Sequence, residues 1–348
     1  MELNELTSLV EQGNDLSLEQ AVASADLLAS ANVAADDKGA FLTSLAAKGE
    51  VASEVAGLAK RFRELARNPG LEKWQDEAVD VCGTGGDKIG SFNISTTVVF
   101  ALAAAGVPVF KHGNKSITSK CGSANLLEAL GVHLTADDET LSKSMEELGF
   151  CFMFAPAFHP AFKEIMPVRQ ELAAKGQRSV FNILGPLINP ARPAHQLLGV
   201  FSPTVVDMLA GTLDALGLKS GLVAHCVIGD GRGMDELSVV GANKVRGLGK
   251  LSSLDESWQP ERFSLAKAKV SDLLGGELED NLRILDSLLA GKAPKGLEDT
   301  VALNIAAALM VVGRCSSIEE GIEIARDLLL GGAVKAKLAD TKAFYSSL

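Results

Sequence analysis

Residues 80–125, DVCGTGGDKIGSFNISTTVVFALAAAGVPVFKHGNKSITSKCGSAN, constrain the fold more than any other stretch. Two short apolar runs end in glycine-rich turns, GTGGD and KHGNK, and a hydroxyl-rich NIST turn lies between them. Residues 79–81 are mostly β-branched and 107–110 are mostly apolar, so both read as buried strands. Residues 96–105 between them have helical composition. Strand, helix and strand in close succession make two parallel strands joined by a crossover, the unit of an α/β fold.

The turns carry chemistry as well as topology. Gly83, Gly85 and Gly86 permit positive φ and close approach of a ligand to the main chain. Successive N–H groups can then converge on an anion. Ser95 and Thr96 are N-cap candidates for the following helix, whose N-terminus favours phosphate oxygens. Lys111, His112, Gly113, Asn114 and Lys115 emerge at the C-terminal end of a strand, where open α/β sheets bind ligands. Asp87 can hold a metal-bound water or a ribose hydroxyl.

The rest of the chain fits an α/β protein with a small all-helical N-terminal domain, 1–72, and a larger domain, 73–348. Ser17 and Gln20 form a capping box for a helix through residue 28. Helical stretches follow at 38–47 and at 51–65, where Val51, Val55, Leu58, Phe62 and Leu65 make one apolar stripe, for core or dimer contact. Asn68-Pro69-Gly70 closes the segment. Strands are expected at 79–81, 107–110, 150–154, 196–201 and 222–228. Helices are expected at 96–105, 126–130, 139–148, 160–175, 203–216, 280–290, 298–312 and 318–330. The polar stretch 250–263 reads as a mobile loop.

At 348 residues the chain can bury a large core. Its formal charge of -11 argues against a general nucleic-acid binder, which needs a Lys/Arg excess along one face. Five scattered cysteines, Cys82, Cys121, Cys151, Cys226 and Cys315, show no metal-ligand spacing and read as reduced thiols. The acidic N-terminus lacks a signal-peptide core, and no apolar run is long enough to span a bilayer. A cytoplasmic protein is expected.

GTGGD, NIST and KHGN, in this order and spacing, resemble the anthranilate phosphoribosyltransferases and, more distantly, the pyrimidine nucleoside phosphorylases of the same fold. The likeness continues through HPAFKEIMPVRQEL, FNILGPLINPARP, QLLGV and MDELS. It implies transfer of phosphoribosyl from 5-phosphoribosyl 1-diphosphate to the amine of anthranilate, in tryptophan biosynthesis, with Mg2+. By resemblance Gly83, Gly86, Asp87, Ser91, Asn93, Ile94, Ser95 and Thr96 would surround the diphosphate and ribose. Lys111, Asn114, Lys115, Ser116, Ser119 and Ser123 would extend that shell. Asp235 and Glu236, with the Ser95 hydroxyl, would hold Mg2+; an adjacent carboxylate pair suits this ion. On the acceptor side the likeness implies Gly83, Asn114, His159, Pro186 and Arg169. An arginine fork binds a carboxylate bidentately. His159 reads equally as an ordinary helix-start histidine. The resemblance also implies that helices near 160–186 pack with the N-terminal helices, and that those helices pair two subunits.

Three departures stand out. KHGNK replaces the usual KHGNR, and Ser123-Ala124-Asn125 replaces SAD. VRQELAAKGQRSVFN is about three residues longer than the usual VRRELGIRTIFN, nearly one helical turn, beside Arg169. They leave open a transferase for another aromatic amine, alongside a nucleoside phosphorylase or a non-catalytic nucleic-acid-binding relative.

Overall fold

The structure is a computed structural model and describes residues 2–115 and 120–348. Among the described residues eight strands form one sheet: β1 Val79–Gly83, β2 Val109–Gly113, β3 Phe150–Phe154, β4 His195–Gly199, β5 Ser220–Val227, β6 Gly233–Met234, β7 Ala242–Gly249 and β8 Asp255–Trp258. Their order is β3-β2-β1-β4-β5-β7-β8, with the short β6 also on β5. The first five are mutually parallel, while β6, β7 and β8 join antiparallel.

The chain builds outward from β1 to β2 and β3, then returns to lay β4 on the other side of β1. That reversal is a topological switch point, and it opens a crevice at the C-terminal ends of β1 and β4. Both faces of the sheet are covered, as a parallel sheet requires. On one face Val79, Val81, Leu222 and Ala224 share a core with helices Ile94–Ala104 and Lys295–Val311. On the other, Cys82, Leu198 and Val223 share a core with the N-terminal helices and Val206–Ala215.

Four helices, Leu3–Glu11, Leu18–Ala29, Ala35–Lys48 and Ala52–Glu64, make the N-terminal bundle. Ser17 caps the second, taking the Gln20 N–H at 3.2 Å while its own N–H goes to Gln20 Oε1 at 2.8 Å. The stripe residues Val55, Leu58 and Phe62 are buried within this one chain. The Phe62 ring lies 5.1 Å from Phe162 and 5.7 Å from Phe181. Those rings come from the 160–184 segment, whose helices Met166–Ala174 and Phe181–Leu184 rest on Ala35–Lys48 and Ala52–Glu64.

Several elements differ from the sequence expectation. The stretch 250–263 is not a free loop: β8 pairs there with β7, and Trp258 and Phe263 are buried against each other. The expected helix 160–175 is a 3-10 turn, Pro160–Glu164, followed by Met166–Ala174, with Pro167 in its first turn, where a missing N–H costs nothing. The final helix, Ala333–Ser346, has no counterpart in the sequence expectation. Among the described residues, no helix is long and apolar enough to cross a membrane.

Phe62→Ala should cost about 3–5 kcal/mol of stability, the range for emptying a buried aromatic position. Urea unfolding followed by far-UV circular dichroism checks this. A loss within the surface range of about 0.5 kcal/mol would mean that the Phe62–Phe162–Phe181 contact is not a core contact.

Candidate active site

The crevice at the switch point is shaped by one close approach. A Cβ built on Gly83, at the end of β1, would lie 2.4 Å from Asp235 Oδ2. One on Gly199, at the end of β4, would lie 1.7 Å from the Asp235 carbonyl oxygen. Only glycine at both strand ends lets the Asp235-Glu236 loop sit down on the sheet. From there the Asp235 carboxylate accepts the Gly85 N–H at 2.5 Å. Gly85 and Gly86 both have positive φ, 72° and 84°, which turns the GTGGD backbone towards the crevice.

The following helix begins with Asn93 as N-cap, not Ser95 or Thr96. Those two lie inside its first turn and do not cap it. The Ser95 hydroxyl faces Lys111 Nζ at 3.4 Å, and the Ser95 N–H goes to Glu236. Lys111 is buried, 2 % exposed, and donates to the Val81 carbonyl at 2.5 Å. Asp87, Asp235, Glu236, Ser95 and Lys111 therefore meet at the ends of β1 and β2. Burial raises the Asp235 carboxyl well above the carboxylate range, and the charges of Asp87 and Glu236 push it the same way. Glu236 is pushed up to about 7 by burial, against Lys111 and with Asp87.

Buried polar atoms without partners ring this spot: Asp87 Oδ2, Asn93 Oδ1 and Thr96 Oγ1. Mutually repelling carboxylates with an orphaned oxygen fit a hard divalent cation that completes its shell with waters and phosphate oxygens. They do not make a full protein cage: among the described residues, no group of three or more His, Cys, Asp or Glu is arranged to hold a metal.

The other expected residues divide. Ser91 and Phe92 are held by Leu274 and Leu273, which fixes the loop before Asn93. Ile94 is fully buried and contributes backbone, not side chain. Ser123 Oγ lies 2.7 Å from where a Cβ on Gly113 would be, so it reaches the end of β2. Asn114 is exposed and its Oδ1 takes the Lys115 N–H. Lys115 is turned outward, ion-paired to Glu128 at 3.1 Å, away from Lys111. Ser116 and Ser119 lie outside the described residues.

On the opposite side of β2 stands a residue that the sequence placed at the strand end but gave no role of its own. His112 is buried, and its Nε2 lies 3.1 Å from Nε2 of His159. Burial depresses both, His159 to about 4, so the pair is neutral at pH 7. His112 also bonds the Gly185 backbone, next to Pro186. His159 stacks on Phe162, which meets Phe181, over which the Arg169 guanidinium lies at 5.3 Å. Arg169 has no carboxylate in ion-pair distance among the described residues. His112 stands beside Lys111 in sequence, and strand alternation puts the two on opposite faces; that period was the available signal. The extra residues near Arg169 end the helix in a turn at Gly176, with the Gln177 N–H on the Leu172 carbonyl, and residues 173–178 are exposed.

Cys82 and Cys121 are buried thiols raised by burial, and none of the five cysteines forms a disulfide. Behind the site, Asp80 is buried with Oδ2 on Asn189 Nδ2 at 2.9 Å, and burial raises it to about 6. A raised folded-state value means that the folded protein holds this proton when the unfolded chain has lost it. Stability from this group is present at low pH and falls as pH rises through about 6. Asp80→Asn should flatten the fall in stability between pH 4 and 7, measured by urea titrations across that range. An unchanged slope would show that the titration belongs to other groups.

The glycosyl transferase family α/β domain model matches residues 75–335, and the helical bundle domain model of the same family matches 5–66. An anthranilate phosphoribosyltransferase of Petrotoga mobilis is 39% identical over 342 residues, 97% of this chain and 96% of the relative. The crystal structure of anthranilate phosphoribosyltransferase from Thermus thermophilus superposes with a TM-score of 0.88 at 39% identity, covering 98% of this chain and 99% of that one. The Saccharomyces cerevisiae enzyme in complex with PRPP and Mg superposes with a TM-score of 0.78 at 25% identity, covering 95% and 93%.

Proposed function

The chain belongs to the anthranilate phosphoribosyltransferase family, and from that premise we propose that it transfers phosphoribosyl from 5-phosphoribosyl 1-diphosphate to the amine of anthranilate, releasing diphosphate. The observation that carries the reading is the pair of faces at the end of β2. Lys111 meets the carboxylate and glycine-rich side, and His112 meets the aromatic side with Arg169. A donor on the first face and an acceptor on the second would bring C1 and the amine together across one strand end.

Anthranilate's aromatic amine is neutral at pH 7 and needs little deprotonation before attack, so no general base is assigned. Catalysis rests on alignment and on stabilising the leaving group. Lys111 would supply fixed positive charge to the departing diphosphate, with the N–H groups of the GTGGD turn and the first turn of Ile94–Ala104. Asp87, Asn93, Ser91, Thr96 and Ser123 would complete the donor shell. Asp235 and Glu236, with Ser95, would hold Mg2+, which neutralises charge on diphosphate when bound. The Arg169 fork would take the acceptor carboxylate, and the neutral His112–His159 pair and Pro186 would wall the ring slot.

The same reading takes the division near residue 72, and a homodimer formed through the N-terminal helices, where Leu9, Leu18 and Leu27 remain partly exposed. Five cysteines without a disulfide support a reducing, cytoplasmic setting.

Following the loss of anthranilate fluorescence with donor and Mg2+ tests the activity directly. Asp235→Asn with Glu236→Gln should lower turnover by orders of magnitude while the circular dichroism spectrum stays unchanged. Near-normal turnover at saturating Mg2+ would remove the metal assignment. Arg169→Ala should raise KM for anthranilate far more than KM for the donor, and equal effects on both would sink the carboxylate pairing.

A further inference from the structure

A second polar cavity lies at the other end of the sheet, with two arginines and two glutamates in its wall. Residues Arg63, Arg192, Glu64, Glu72, Asn68 and Gln75 line a cavity of about 170 Å³ beside the starts of β1 and β4. β1 is five residues long, so this cavity and the GTGGD turn are separated by about 16 Å of strand.

Arg63 is 8 % exposed. Its Nε–H donates to the Leu187 carbonyl at 2.6 Å, and no further hydrogen bond of its guanidinium is made among the described residues. Arg192 donates from Nη2 to the Arg63 carbonyl at 3.2 Å, which brings the two side chains to one cavity. Among the described residues, neither has a carboxylate within ion-pair distance. Of the two acids in the wall, Glu64 is paired with Arg61 at 2.9 Å, and Glu72 accepts from its wall neighbour Asn68 Nδ2 at 2.7 Å. Asp80 and Glu72 act on Arg63 and Arg192 only through space. Arg63 is drawn down to about 10 by burial, and the neighbouring Arg192 charge pushes the same way.

Arg63 is buried with one hydrogen bond and no carboxylate in ion-pair distance among the described residues, so the desolvation of its charge is repaid only in part by the Leu187 carbonyl and the distant Asp80 charge; Arg192, beside it, is exposed. Arg192 is moreover one of the few non-glycine residues at positive φ, 51°, a conformation that costs of order 1 kcal/mol and needs a reason to persist. A planar fork is the side chain best matched to a tetrahedral oxyanion. The cavity is too small for a nucleotide, whose sites begin at about 300 Å³.

We propose that the cavity between Arg63 and Arg192 is a binding site for a small inorganic oxyanion of the phosphate or sulfate type. The anion bridges the end of helix Ala52–Glu64 to the segment leading into β4 and so ties the helical bundle to the sheet. Binding at this site is read separately from donor binding, because the GTGGD turn lies at the opposite end of β1.

Crystals of the full chain soaked in sodium selenate test it by anomalous scattering at the selenium edge. The expected result is a peak between the two guanidinium groups. That peak is lost in Arg192→Asn, a change that keeps a residue tolerant of positive φ, while any peak at the Gly85–Gly86 turn is retained. Arg63→Met gives the same loss should the first variant not crystallise. No density in the cavity at saturating selenate overturns the proposal, as does a peak that survives both substitutions.

Discussion

The seat of Asp235 on the ends of β1 and β4 is the constraint from which the active-site side of the molecule follows. Its carbonyl and carboxylate approach Gly199 and Gly83 so closely that no side chain can intervene. Everything behind it serves to hold that loop. The Asn304 amide donates to the Leu237 carbonyl at 2.7 Å, and Asn243 both donates to the Ser238 carbonyl and accepts its N–H. Thr300 takes the Val239 N–H. All four side chains, Ser238, Asn243, Thr300 and Asn304, are buried, so each bond is made away from competing water. The helix Lys295–Val311 therefore has two tasks, covering one face of the sheet and fixing the backbone that follows the two carboxylates.

The sheet order explains why this loop and the GTGGD turn meet at all. With β1 central and the chain reversing between β1 and β4, the turns after those two strands diverge and leave a crevice. β5 then sends its hairpin with β6 and β7 back over that crevice, carrying Asp235 and Glu236. The antiparallel extension is thus what brings acidic residues to a place built from parallel strands.

Much of this was legible. The glycine turns, the five parallel strands and the capping box at Ser17 rest on local patterns, whereas Asp235 and Glu236 were singled out by the resemblance of MDELS and not by their local sequence. What was hidden depends on distant contacts. β7 reads ANKVRGLG, with too many polar and glycine residues to announce a strand; its partner β5 and the Asn243 bonds make it one. β8 is short and exposed on its outer residues, so its sequence resembles a loop. His112 carries no signal of its own until strand alternation puts it opposite Lys111 and the fold brings His159 to it. Lys115, a motif position, pairs with Glu128, a contact that no local pattern announces.

The carboxylates also occupy positions that an incoming anion needs. Asp235 takes the Gly85 N–H, and Glu236 takes the Ser95 N–H in the first turn of the helix. These are donors at which diphosphate oxygens would otherwise be expected, one in a left-handed glycine turn and one at a helix start. A negative ligand entering alone would meet three carboxylates and donors already engaged. On the proposed reading, a ligand arriving with a cation would give the carboxylates a better partner than the amides and leave the amides to its own oxygens. On that reading, selectivity for a metal-complexed diphosphate over a bare phosphate would follow from competition for the same N–H groups.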